Sequence, residues 1–186
     1  MGKANKYLPK FYYDSFLDIP YEYLAKKGIK VLFFDLDNTL LENNQKALSE
    51  ENKQFLQQIQ PLFKIVILSN ASKKRLKTVL KNDFDYIPLT FFHKKPSSWG
   101  FLKALEKFNV SAEETVMIGD QLRTDILGAN KMKITSILVK PINRNNESLF
   151  SRLSRYFIER PYIKKIKKNN PKIYQQKFKN FVELEK

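Results

Sequence analysis

Asp35 and Asp37 stand two residues apart in Asp35-Leu36-Asp37-Asn38-Thr39, directly after a short apolar run. Ser69-Asn70 follows a second apolar run, and Lys95-Pro96 precedes a helix-like stretch. Gly119-Asp120-Gln121-Leu122-Arg123-Thr124-Asp125 follows another apolar run. Brought to one place, these segments supply four carboxylates, one ammonium and one hydroxyl. Two like charges about 4 Å apart at an effective dielectric near 20 repel by roughly 4 kcal/mol. Asp35, Asp37, Asp120 and Asp125 therefore need a cation if they share a site. Oxygen ligands and a chain without Cys favour Mg²⁺ over Zn²⁺. Mg²⁺ takes one or two carboxylates together with waters and substrate phosphate oxygens. A Lys and a hydroxyl beside it would complete an anion clamp. A phosphorylated substrate follows, and a carboxylate facing phosphorus can act as nucleophile.

Each residue also has a plainer reading. Asp35 and Asp37 could be a solvated turn, but not an EF-hand loop, whose sixth and twelfth positions would be Leu40 and Lys46 instead of Gly and Glu. Asp120 and Asp125 could be acids favoured at a helix start, which is compatible with a metal site. Ser69 could be a helix cap. Lys94 competes with Lys95 as the functional cation. His93, the single His, is expected to be structural or solvent-facing, and Trp99 to pack a helix onto a sheet.

The elements that must position these residues follow from the apolar pattern. Residues 29–34, 64–68, 115–118 and 134–139 read as buried strands, and 86–91 as a weaker one. Helices are expected over 21–27, from Ser49 to about Leu62, from a Ser72 cap to about Lys81, from Ser97 or Ser98 to Phe108, and over 122–131. Strands alternate with helices and several strands are apolar on both faces. That pattern predicts an α/β fold with a central parallel sheet covered on both sides. Ligands in such sheets bind beyond the carboxyl ends of the strands. All four polar clusters are expected at that edge.

The four ordered motifs, DLDNT, Ser69, Lys95-Pro96 and GDQLRTD, resemble those of the haloacid dehalogenase (HAD) superfamily over residues 29–142. FFDLDNTLL, the KKP before a helix, GDQLRTDILGAN with ITSILVKPIN, and the lead-in FYYDSFLDIPYEYLAKKGIK more narrowly resemble the YqeG-like HAD IIIA phosphatases. The resemblance implies a HAD-like Rossmannoid three-layer sandwich. It implies Asp35 as nucleophile forming an aspartyl-phosphate, and Asp37 as general acid, then general base. Ser69 and the Asn70 backbone would hold phosphoryl oxygens, and Lys95 would neutralise the transferring group. Asp120 would bind Mg²⁺ with Asp35 and the Asp37 carbonyl, and Asp125 would hold metal waters or orient Lys95. The dehalogenases lack the second acid, so Asp37 marks a phosphatase. The spans 41–49 and 69–95 have no room for an inserted cap of about 50 residues or more. A capless, open site suits a protein, a nucleic acid or a lipid headgroup.

At 186 residues the chain suits one domain with appendages. The expected division is an aromatic lead-in over 1–28 packing on the core, a phosphatase domain over 29–146, and a basic extension over 147–186. The 34 Lys+Arg against 19 Asp+Glu give a net charge of +15, of which +9 lies in residues 140–186. An anionic partner is indicated. The absence of Cys excludes disulfides and thiolate chemistry. No apolar run reaches the roughly 18 residues of a spanning helix, and the N-terminus lacks a signal-peptide apolar region. A cytoplasmic protein, peripheral at a membrane if the tail binds one, is expected.

Leu149, Leu153 and Phe157 form one helical stripe beside Arg152 and Arg155. Packing of this stripe onto the domain is the favoured expectation, and docking on an anionic membrane the alternative. Pro161 is expected to end that helix, leaving 162–170 as a separate basic stretch able to meet RNA. Some relatives in the family dephosphorylate phosphatidylglycerophosphate, and an open site with a basic tail suits that lipid. The competing functions are hydrolysis of a soluble nucleotide or sugar phosphate, and RNA or ribosome binding with incidental chemistry.

Overall fold

The computed structural model describes residues 6–182; the first five residues of the lead-in and the last four of the extension lie outside them. Six strands form one sheet: β1 Phe11–Tyr13, β2 Val31–Phe34, β3 Lys64–Ile67, β4 Asp85–Tyr86, β5 Thr115–Gly119 and β6 Thr135–Val139. Their spatial order is β1-β6-β5-β2-β3-β4, and every pairing is parallel. The fold is the α/β sandwich expected. Strand β1 is an addition. Phe11-Tyr12-Tyr13 is too short to show a period, yet it pairs with residues 137–139 at the sheet edge.

Alternation along the strands sorts the core into two faces. Leu32, Phe34, Ile65, Ile67, Val116 and Ile118 share one cluster with α1 (Tyr21–Lys26), α2 (Glu50–Ile59) and α3 (Lys73–Leu80). Val31, Phe33, Val66, Leu68 and Met117 face the other way, against α4 (Ser98–Phe108) and α5 (Leu127–Lys131). Helices on both faces exclude water from a fully apolar parallel sheet. Ser49, Ser72 and Ser97 each accept a backbone N–H at the start of α2, α3 and α4. Such caps satisfy donors that the first turn leaves orphaned.

Two expected elements change. The strand over 86–91 stops at Tyr86, because Pro88 cannot donate to a ladder. Phe91 and Phe92 lie in a short 3₁₀ turn, Phe91–His93, exposed to solvent. The helix over 122–131 opens with a wide π-type turn, Leu122–Ile126, before α5.

Pro161 does not end the tail helix. Residues run from α6 (Leu149–Ser154) through a π-type turn (Arg155–Glu159) into α7 (Arg160–Asn169) without a break. A proline ring clashes with the carbonyl four residues earlier, and a wide turn at that point relieves the clash. After α7 come α8 (Pro171–Lys177) and α9 (Lys179–Val182). Ile163, Ile166, Phe178 and Phe181 bury themselves against Leu122, Ile126 and Leu138. At about 1.5–3 kcal/mol for each buried side chain, this contact holds the tail against the domain. Lys177 Nζ adds hydrogen bonds to the carbonyls of Pro9 and Lys10, at 2.6 and 2.7 Å. The Leu149–Leu153–Phe157 stripe takes no part in this packing. All three side chains are exposed, which corrects the expectation that they pack on the domain. The buried face of the tail is carried by α7, α8 and α9 instead.

Candidate active site

Phe34 of β2 sits between Ile67 of β3 and Ile118 of β5, so the residues that follow all three strands emerge at one edge. The backbone N–H of Asp35 still bonds the Ile118 carbonyl, at 2.9 Å, which fixes the start of the loop. Asn38 then adopts a left-handed conformation with φ 64°, a geometry Asn tolerates well. Its N–H bonds the Leu41 carbonyl and its carbonyl accepts from Ile142, closing the turn.

Lys95 is the hub of the site. It is buried, and its Nζ lies 2.8 Å from Asp35 Oδ1 and 2.7 Å from Asp125 Oδ1. Burial opposes the ammonium charge, but Asp125 and Asp35 outweigh it and raise Lys95 above the ordinary lysine range. Lys94, the competing candidate, is exposed and lines the same cleft without touching these carboxylates. Asn70 positions Lys95 through its backbone. The Asn70 Oδ1 accepts from the Lys95 N–H at 2.7 Å, and the Asn70 Nδ2 donates to the Lys95 carbonyl at 3.1 Å. The Asn70 side chain is thus committed to Lys95. Ser69 is buried at the cleft wall and accepts from the Ala71 N–H.

Asp35, Asp120 and Asp125 each offer a carboxylate oxygen, all within 4.8 Å of one another. Burial raises Asp120 well above the carboxylate range; Arg155 opposes the shift, and Asp125 and Asp35 reinforce it. Burial likewise pushes Asp125 up to about 6 against the pull of Lys95. These carboxyls resist ionising together, and a divalent cation among them relieves both burial and repulsion. The donor set is all oxygen, which fits Mg²⁺. Gly119 makes room for the Asp125 side chain. A Cβ there would come within 2.4 Å of the Asp125 carboxyl carbon, so only Gly allows the acid to fold back under the strand end.

The Asp37 carboxylate lies outside this cluster. It accepts from Arg75 Nε at 2.9 Å and Arg75 Nη2 at 2.5 Å. Any part for Asp37 at the metal falls to its backbone carbonyl. Burial raises its pKa while the Arg75 hydrogen bond lowers it, and Asp35 adds to the rise. His93 stacks on Trp99 with ring centroids 4.3 Å apart and contacts Thr90, a structural place.

Arg155 is the residue sequence reading missed. Although it comes from the tail, it reaches into the edge of the carboxylate cluster. Its guanidinium contacts Asp120 Oδ2 at 2.5 Å, the Asp120 carbonyl at 3.1 Å, Glu147 at 2.7 and 2.9 Å, and Glu159 at 2.9 Å. Burial disfavours its charge, but Glu159, Asp120 and Glu147 hold it above its usual value. Glu159 also accepts the Leu122 N–H at 2.7 Å, at the start of the π-type turn. Arg75, which holds Asp37, was equally invisible, whereas Thr39, whose hydroxyl lies 3.4 Å from Asp120 Oδ1, stands in the DLDNT motif with no role assigned to it. An Arg in a basic helix carries no local signal of a distant partner.

The site opens into a cleft of about 800 Å³. Asp35, Asp37, Ser69 and Lys95 line it together with Phe91 and Phe150. No inserted domain covers it among the described residues; Gln121, Asn146, Ser148 and Ser151 contribute to its lining.

A family described as HAD-hydrolase-like matches residues 93–149, which carry Lys95, Asp120 and Asp125. The probable phosphatase YqeG of Bacillus subtilis (strain 168) is 29% identical over 163 residues, covering 87% of this chain and 92% of that protein. Both likenesses are to phosphatases of the HAD superfamily, as the four motifs led one to expect. Among other similar proteins, the chloroplastic/mitochondrial phosphatidylglycerophosphate phosphatase 1 of Arabidopsis thaliana is 27% identical over 144 residues. That match covers 72% of this chain and 41% of the plant protein. An uncharacterized protein from Listeria monocytogenes serotype 4b superposes with a TM-score of 0.51 at 25% identity, over 62% of this chain and 84% of that one. A HAD family enzyme from Bacteroides thetaiotaomicron, solved with magnesium and inorganic phosphate, shares the fold with a TM-score of 0.51 at 15% identity. It is matched over 62% of this chain and 96% of its own. The chain is accordingly an enzyme of the hydrolase type, with an acidic cluster, Asp35, Asp120 and Asp125, that suits Mg²⁺.

Proposed function

We propose that this HAD phosphatase hydrolyses phosphatidylglycerophosphate through an aspartyl-phosphate on Asp35. The observation that carries the chemistry is Lys95 held between Asp35 and Asp125, with the Asp37 carboxylate held apart from that cluster by Arg75. A phosphate in the cleft meets an Asp35 carboxylate oxygen. That oxygen bonds phosphorus as the ester P–O bond breaks, and the protonated Asp37 gives its proton to the departing alkoxide. Asp37, now a carboxylate, takes a proton from water. The water oxygen bonds phosphorus, the Asp35–phosphorus bond breaks, and inorganic phosphate leaves. Burial raises the Asp37 pKa, which favours the protonated form needed first. Lys95 and Ser69 balance the charge on the phosphoryl oxygens throughout. Mg²⁺ held by Asp35, Asp120 and Asp125, with the Asp37 carbonyl, would supply Lewis-acid stabilisation of the same charge.

The choice of lipid rests on the likeness to the Arabidopsis enzyme and on the basic composition of the tail. The test is phosphate release from phosphatidylglycerophosphate in mixed micelles, with and without Mg²⁺, beside glycerol phosphate and nucleoside monophosphates. Mg²⁺-dependent release from the lipid that greatly exceeds release from the soluble esters is expected. Faster turnover of a soluble ester would replace the lipid as substrate while keeping the enzyme.

A further inference from the structure

Leu149, Phe150, Leu153, Tyr156 and Phe157 project from α6 and the turn after it, each more than half exposed. Phe91 and Phe92, 78% and 85% exposed, are the most exposed large apolar side chains among the described residues. The two groups meet at the cleft that holds Asp35, which Phe91 and Phe150 both line, while Leu149, Leu153 and Tyr156 line a neighbouring hollow with Arg152 and Arg160. Large apolar patches on a folded chain mark an interaction surface.

Charge identifies the partner. Arg123 stands over the Phe150 ring at 4.7 Å, Lys94 over Phe91 at 5.9 Å, and Arg160 over Tyr156 at 5.5 Å. Between residues 148 and 182 the sequence has ten Lys or Arg and one acid, Glu159, which is buried against Arg155. Exposed aromatics interleaved with cations, and no exposed carboxylate on that segment, match the interface of an anionic bilayer. There apolar rings enter the headgroup layer and cations meet lipid phosphates.

We propose that this rim is a docking face for the surface of an anionic lipid bilayer, seated around the mouth of the catalytic cleft. A phosphate carried by a lipid would then reach Asp35 without its acyl chains leaving the membrane. In that purpose the proposal rests on the lipid reading above; the surface itself does not depend on it.

The test is flotation of the full chain with vesicles of phosphatidylcholine alone, or of phosphatidylcholine with phosphatidylglycerol, at low and high salt. Binding to the anionic vesicles, weakened by salt, is expected. A triple variant, L149Q/L153Q/F157Q, replaces exposed side chains away from the cleft. It should bind at least about tenfold more weakly, with unchanged melting temperature and unchanged turnover of a soluble aryl phosphate. Equal binding of neutral and anionic vesicles, or binding unaffected by the triple change, overturns the proposal. So does a dimer in size-exclusion chromatography that the triple change dissolves, since a second copy would then be the occupant. Vesicle binding without phosphatidylglycerophosphate turnover discards only the substrate. Lipid turnover without vesicle binding discards only the docking face.

Discussion

Arg155, contributed by the tail, binds Asp120 through both its carboxylate and its carbonyl, so the metal-facing end of β5 is locked to a helix 35 residues downstream. The same guanidinium neutralises Glu147 and Glu159. Removing it would take the guanidinium charge from three buried carboxylates, and breaking a buried pair from one side costs about 3–5 kcal/mol. Arg155→Met should lower the melting temperature by roughly 6–20 °C in a chain of this size. Arg155→Lys should rescue only part of the loss, because an ammonium lacks the planar fork. Thermal unfolding of the two variants checks this. A melting temperature equal to wild type in Arg155→Met would show that the network is not what joins tail to site.

The space left by Gly119 is expected to govern metal affinity. Gly119→Ala places a methyl where the Asp125 carboxyl now lies. Displacing that acid should weaken Mg²⁺ by roughly 10–100-fold, with less effect on overall folding. Mg²⁺ titration of activity and of melting temperature reads the change directly; an unaltered titration would mean Asp125 is not needed at the metal.

Metal binding should also depend on pH in a defined sense. Burial holds Asp125 at about 6, whereas an unfolded Asp titrates near 3.9. Over roughly pH 4–6 the folded, metal-free protein binds more protons than the unfolded chain. That share of stability is present at low pH and is lost as pH rises through 6. Mg²⁺ must displace the same proton. The rise in melting temperature on adding Mg²⁺ should therefore be small near pH 5 and larger near pH 7. A rise that does not change with pH would contradict a protonated Asp125 in the metal-free site.

Asn70 acts on Lys95 only through the backbone. Asn70→Ala removes both hydrogen bonds and should lower kcat by about 10²-fold, the scale expected when a catalytic group shifts by about 1 Å. KM should change less, since Asn70 itself is not placed on substrate by its side chain. A loss confined to KM would instead assign the Asn70 side chain to phosphate binding.

The central sheet and the carboxylates at its edge were legible in the sequence for physical reasons. Runs such as Val31–Phe34, apolar on both faces, allow only a covered parallel strand. The motif residues lie directly after such runs, so the topology alone brings Asp35, Ser69 and Asp120 together. What stayed hidden depends on long-range partners. Phe11–Tyr13 is a strand only because β6 offers it an edge. Arg155 looks like one more cation in a basic tail until it meets Asp120. The stripe of Leu149, Leu153 and Phe157 has the spacing of a packing face, yet the tail packs through Ile163, Ile166, Phe178 and Phe181. Periodicity tells which side chains share a face, not which face finds a partner.

The most direct test of the chemistry is to trap the covalent intermediate. The protein is mixed with a radiolabelled aryl phosphate and Mg²⁺, quenched in acid, and digested. Label that is sensitive to hydroxylamine and maps to the peptide containing Asp35, absent from Asp35→Asn, is the predicted result. Label on another residue, or phosphate release that persists in Asp35→Asn, would contradict the account.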